Sequence, residues 1–171
     1  MIRDATTHDL SAIHAIHNHA VATSLAIWTD VPERLDDRQA WFDAHREAGH
    51  AVLVAEQGGE VVGYASLSQY RPKPGYRWTV EDSVYVADGH QGRGHGRALL
   101  AALVERARTD GFHAVVGVIE AGNAASIALH ASLGFQDAGV LREVGRKFDR
   151  WLDLQHMVLL LDPPGAAARG R

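Results

Sequence analysis

Three groups of residues in this chain have the types and spacing for chemistry. The first is Gln91-Gly92-Arg93-Gly94-His95-Gly96-Arg97, which stands at the head of an apolar helical pattern. Glycines let backbone amides approach a ligand closely, and the amides at a helix start point outward with no partner of their own. The helix dipole adds positive charge at that end, and Arg93, His95 and Arg97 add more, so the loop reads as a phosphate or pyrophosphate site. The second group is Glu81-Asp82-Ser83, on the strand leading into the loop, where a carboxylate can serve as a general base. A third candidate lies in a later helical pattern, His130, an imidazole that titrates in the useful range. Each has a plain alternative. Glu81 can be an ordinary strand carboxylate, His130 a packing histidine, and Asn123 a helix cap. The chain has no cysteine, which excludes a disulfide framework, a thiolate metal site and a cysteine nucleophile. Ser83 as a nucleophile lacks an evident base.

The elements that must position these groups follow from periodicity. Thr6 and Asp9 resemble a capping box, and Leu10, Ile13, Ile16 and Ala20 continue at helical spacing over about residues 8–22. His8, His14, His17 and His19 decorate that helix, and only His14 and His17 share a face at metal-ligand spacing, so they read as structural and no metal site is expected. Ser24 to Asp30 is a loop in which Trp28 is either core packing or the wall of a pocket. A second helix starts at Asp36 or Asp37 and ends at Gly49. Ala51–Glu56 and Glu60–Tyr70 form an antiparallel hairpin around Gly58-Gly59. Arg71-Pro72-Lys73-Pro74-Gly75 breaks regular structure just before the strand Trp78–Val86. The helix after the glycine loop carries Leu99, Leu100, Leu103, Val104 and Ala107 as its buried stripe and ends at Asp110-Gly111. Ala114–Ile119 is a continuous apolar run, a central strand joined by a right-handed parallel crossover. A helix opening at Ala121-Gly122-Asn123 and ending at Gly134 follows. Arg142–Asp149 reads as an irregular strand or loop, and Leu152–Leu161 as the last strand.

At 171 residues, 46% of them hydrophobic, the chain suits one domain over 1–162 of mixed α/β class, with residues 163–171 a patternless tail expected to be disordered. A formal net charge of −4 gives no reason to expect nucleic acid or an anionic membrane surface as partner. No apolar run reaches about 18 residues and no secretion signal opens the chain, so a cytoplasmic location is expected.

Spacing decides among glycine-loop types. A triphosphate P-loop needs Lys and then Ser or Thr after its last glycine, and here Arg97 and Ala98 follow Gly96. A dinucleotide fingerprint needs Gly or Ala at 97, and hairpin material precedes the strand. What remains is Gln91, two residues, Gly94, one residue, Gly96. With the element order across nearly the whole chain, this resembles the GCN5-related N-acetyltransferase superfamily. Thr79-Val80-Glu81-Asp82-Ser83-Val84-Tyr85-Val86, the segment Gly122–Phe135 with Asn123, Ser126 and His130, and Gly145-Arg146-Lys147-Phe148-Asp149-Arg150-Trp151-Leu152-Asp153 are similar to the phosphinothricin and methionine sulfoximine acetyltransferases. Trp28 stands where phenylalanine is usual, and Lys73 departs from the usual pattern in the Arg71 loop.

The resemblance implies a mixed, mostly antiparallel twisted sheet flanked by helices, with acetyl-CoA as co-substrate and no metal. It implies cofactor contacts from Val84, Tyr85, Val86, Gln91 to Arg97, Asn123 and Ser126. A substrate site would involve Trp28, Arg71, Pro72, Lys73, Glu81, Asp82 and Ser83, and a homodimer is expected. Five strand residues, Glu81 to Val86, span about 16 Å, on the order of a pantetheine arm. An arm paired beside Val84–Val86 would therefore bring its thioester near Glu81. An amino acid amine is protonated at neutral pH, so Glu81 is the candidate base, directly or through water. His130 either protonates the thiolate or relays the amine proton, and an amide near Val84 faces the carbonyl oxygen. Without cysteine, direct attack in a ternary complex is favoured. The expected activity is acetylation of the α-amine of phosphinothricin, methionine sulfoximine or methionine sulfone. The alternatives are a protein N-terminus or other small amine, and a non-catalytic acyl-CoA binding module.

Overall fold

Seven strands form one sheet in the order β1-β2-β3-β4-β5-β7-β6 in the computed structural model, which describes residues 1–161. The strands are β1 (Ile2–Asp4), β2 (Val52–Gln57), β3 (Glu60–Gln69), β4 (Thr79–Val86), β5 (Ala114–Glu120), β6 (Gln136–Lys147) and β7 (Arg150–Leu160). The helices are α1 (Leu10–Thr23), α2 (Leu35–Glu47), α3 (His95–Thr109) and α4 (Ala124–Ala131). Every neighbouring pair is antiparallel except β4 and β5, which the single helix α3 joins as a parallel crossover. The Gly58-Gly59 turn takes φ 62° and 85°, the left-handed pair that a two-residue hairpin demands.

The strand alternation sorts side chains to two layers. Leu53, Ala55, Ala65, Leu67 and Val80 face the stripe Leu99, Leu100, Leu103 and Ala107 of α3, and Ile127 and Leu129 of α4 pack against the same cluster. Val52, Val54 and Tyr64 face Leu10, Ile13, Ile16 and Phe42 of α1 and α2. Tyr85 packs on this second layer, so along β4 Glu81 and Ser83 share its face while Asp82 shares the α3/α4 face with Val80 and Val84.

Three elements differ from the sequence-based expectations. β1 is too short to show a period; it is held by pairing with β2 and by Arg3, whose guanidinium bridges Asp9 at 2.8 Å and Glu56 at 2.9 Å. The first helix opens with a short 3-10 turn at Thr7–Asp9, and α1 proper begins at Leu10. The segment read as irregular from Arg142 is the second half of β6, and two register shifts on β7 interrupt its alternation. The tail expected at 163–171 lies outside the described residues.

Candidate active site

β4 and β5 pair only from Thr79↔Ala114 to Asp82↔Gly117. Beyond that the strands part, and residues 83–86 pair with β3 alone. A strand edge left open in the middle of a sheet offers backbone groups to an extended ligand. Two adjoining cavities occupy the gap. One, of ≈ 460 Å³, runs from Gln91 and Asp88 along Val86, Tyr85 and Val84, with Ile16, His19, Ala20, Thr23 and Ser24 of the α1 end as its other wall. The other, of ≈ 300 Å³, holds Glu81, Asp82, Ser83, Val118, Ser126, His130 and Trp28. Ala26, Val84, Tyr85 and Asn123 border both, so the two form one groove from the glycine loop to Glu81.

At the loop end, Gly94 is the N-cap of α3 with φ 85°, and Gly92 takes φ 72°. These left-handed positions turn the chain so that the first amides of α3 are free of intrahelical partners. Arg93 and Arg97 are exposed. His95 is committed elsewhere, with its Nε2 3.0 Å from Gln57 Oε1, and Gln91 donates to the Val86 carbonyl at 3.3 Å. Asn123 caps α4, accepting from the Ser126 amide at 3.1 Å, while lining both cavities. The groove, with its open strand edge and the N-terminus of α3 at one end, fits acetyl-CoA.

At the other end Glu81 and His130 enter one cavity from opposite faces of β4. Burial raises the Glu81 pKa above the ordinary carboxylate range, Asp82 beside it adds to the rise, and Arg71 offsets part of it. His130 is buried, with Nδ1 2.7 Å from the Ser126 carbonyl and Nε2 3.0 Å from Asp82 Oδ2. Both ring nitrogens thus face acceptors, an arrangement that suits the doubly protonated imidazolium. Burial is the largest single influence and opposes that charge, yet the Asp82 hydrogen bond and charge, with the Ser126 carbonyl, raise the pKa on balance. Gly117 makes room for this pair: a Cβ there would lie 2.8 Å from the His130 ring and 3.4 Å from Asp82 Oδ1.

Arg71, Pro72 and Lys73 are exposed, on the turn between β3 and β4. The Arg71 guanidinium lies over the Tyr70 ring at 5.0 Å, and these three residues stand outside the cavity lining. Trp28, open between two readings in the sequence, is half-buried against the cavity. Period-two alternation puts Asp82 on the opposite face from Glu81, a signal in the sequence for its face but not for His130 as its partner. The α1 wall, His19, Thr23 and Ser24, had none.

Fold and groove together define a class. Residues 13–135 match the acetyltransferase (GNAT) family model, and the chain belongs to that family. It is 54% identical over 167 residues to an L-methionine sulfoximine/L-methionine sulfone acetyltransferase of Pseudomonas paraeruginosa, covering 97% of each chain. It is 42% identical to a phosphinothricin N-acetyltransferase of Alcaligenes faecalis, over 89% of this chain and 78% of that one. Among solved structures, a putative acetyltransferase from Salmonella typhimurium with its cofactor acetyl-CoA superimposes with a TM-score of 0.94 at 48% identity, over 99% of this chain and 98% of that one. Among the described residues no helix is long and apolar enough to cross a membrane, and no group of side chains could hold a metal ion.

Proposed function

We propose that the chain transfers an acetyl group from acetyl-CoA to the α-amine of a small amino acid analogue, with methionine sulfoximine, methionine sulfone and phosphinothricin as the acceptors to test first. The observation that carries this reading is the continuous groove from the α3 N-terminus to a half-buried carboxylate, beside the unpaired edge of β4. Acetyl-CoA supplies an activated acetyl thioester. The amides of residues 92–97, with Arg93 and Arg97, hold its pyrophosphate, and the backbone of Val84–Val86 orients the arm. An amide near Val84 donates to the carbonyl oxygen. Glu81 accepts the amine proton, directly or through one water, and its raised pKa brings it nearer the amine's. His130, buried beside Asp82 in the same cavity, serves the proton transfers there, either to the departing thiolate or from the amine. Arg71 pairs with the acceptor's carboxylate once an acceptor is bound.

The names of the relatives support these acceptors. A thiol-release assay over the three analogues, polyamines and short peptides tests the assignment. Turnover of the analogues is expected, and turnover confined to peptides would overturn it. We further propose that one domain over 1–162 does this work in the cytoplasm, as a homodimer through β6 and β7. Val140, Val144 and Trp151, 42%, 52% and 63% exposed, give that surface its apolar character, and a monomeric mass by light scattering would contradict the dimer.

A further inference from the structure

The wall of the Glu81 cavity that carries Trp28 is a loop, residues 24–28, with few fastenings of its own. Trp28 Nε1 donates to the Leu25 carbonyl at 2.9 Å, and the Ala26 amide donates to Ser24 Oγ at 3.2 Å. What ties the loop to the sheet comes from the far end of the chain. Lys147, 1% exposed at the end of β6, donates from Nζ to the carbonyls of Val21 at 2.7 Å, Ser24 at 2.8 Å and Ile27 at 2.6 Å. These three acceptors match the three protons of an ammonium. Val21 and Ser24 lie at the C-terminal end of α1, where carbonyls lack helical partners and a cation is favoured. Ile27 is next to Trp28. Two residues before Lys147 on the same strand, Gly145 lies under the indole, and a Cβ built there would overlap the Trp28 ring.

A cation this buried, with only neutral acceptors bonded to it, carries a desolvation cost that an apolar side chain of the same length would avoid. An apolar side chain could not bind three carbonyls from two segments. The hairpin end is itself tight. Phe148 and Asp149 take φ 48° and 58° between the paired Lys147 and Arg150, so the strand that aims the ammonium turns back at once.

We propose that Lys147 is a positioning residue: its ammonium fixes the 24–28 loop so that Trp28 and Ala26 form a wall of the cavity holding Glu81, and so sets the affinity for the acceptor. The proposal rests on reading that cavity as the acceptor site. Lys147→Met keeps the unbranched side chain to within one atom of its length and removes its donors. Its acceptor KM should rise about 10-fold, the worth of one charged hydrogen bond, with kcat changed less than about 3-fold. Acrylamide quenching of the Trp28 fluorescence, isolated by subtraction with Trp28→Phe, should increase, and Lys147→Arg should recover part of the KM. An unmoved KM, or a raised KM with unmoved Trp28 quenching, overturns the proposal. Should Lys147→Met fail to fold, the same criteria apply to Lys147→Gln, which keeps a polar head but loses the charge and the third donor. A native chain that acetylates no amine sinks the acceptor reading and the proposal with it. A native-like variant of an active enzyme sinks the Lys147 proposal alone.

Discussion

Replacing Glu81 by Gln removes the proposed base while keeping its shape, and the structure sets the size of each consequence. No hydrogen bond from the described residues holds the carboxylate; its surroundings are burial, Asp82 and the distant Arg71. The substitution therefore orphans no protein donor, and the loss should fall on chemistry. A positioned base contributes about 10²–10⁴-fold, or about 2.7–5.4 kcal/mol of barrier. CoA affinity should stay within about 2-fold, because Glu81 stands about 16 Å along the strand from Val86 and the anion loop. Stability should move the other way. A carboxyl whose pKa is raised by folding stabilises the fold when protonated, and that contribution is lost as pH rises through the folded value. At pH above the unfolded carboxyl value this raised pKa is a cost to the fold, and Glu81→Gln should unfold at an equal or higher temperature. The assays are thiol release at saturating acetyl-CoA, calorimetric titration with CoA, and thermal unfolding at pH 7. A loss of kcat below about 10-fold, or a parallel loss of CoA affinity, refutes the assignment of Glu81 as base.

Three further outcomes follow from the same geometry. Arg71→Ala should raise KM for carboxylate-bearing acceptors about 10-fold, the worth of one charged hydrogen bond, with little change for amines lacking a carboxylate, in the same thiol-release assay. Gly117→Ala should lower stability by about 1–3 kcal/mol in denaturant unfolding, because the new methyl group meets the His130 ring at 2.8 Å. In an NMR titration His130 should titrate above the ordinary imidazole range, and Asp82→Asn should bring its midpoint down. With that raised pKa, the His130–Asp82 pair stabilises the fold most below the unfolded histidine value and less as pH rises through the folded one.

How much of this was legible in the sequence depends on the range of the determining contacts. The glycine loop, β4 and α3 could be read because their signals are local: glycine spacing, period-two alternation and a helical stripe. The place of Glu81 at the groove's far end followed from its distance along one strand. His130 was found as a residue, yet its partner Asp82 lies 48 positions away, and only the packing of α4 on the sheet joins them. Lys147 stood within a segment matched to known enzymes, but nothing local could tie it to Val21, 126 positions earlier. β6 hid for a different reason: its two register shifts and largely exposed side chains erase the alternation that marks a half-buried strand.

The groove between β4 and β5 is proposed to hold acetyl-CoA with its reacting end at Glu81. A crystal structure with acetyl-CoA tests it most directly. The pyrophosphate is expected on the amides of residues 92–97, the arm beside Val84–Val86, and the thioester in the cavity lined by Glu81 and His130. Pyrophosphate bound away from the α3 N-terminus, or a thioester on the far side of the sheet from that cavity, would contradict it.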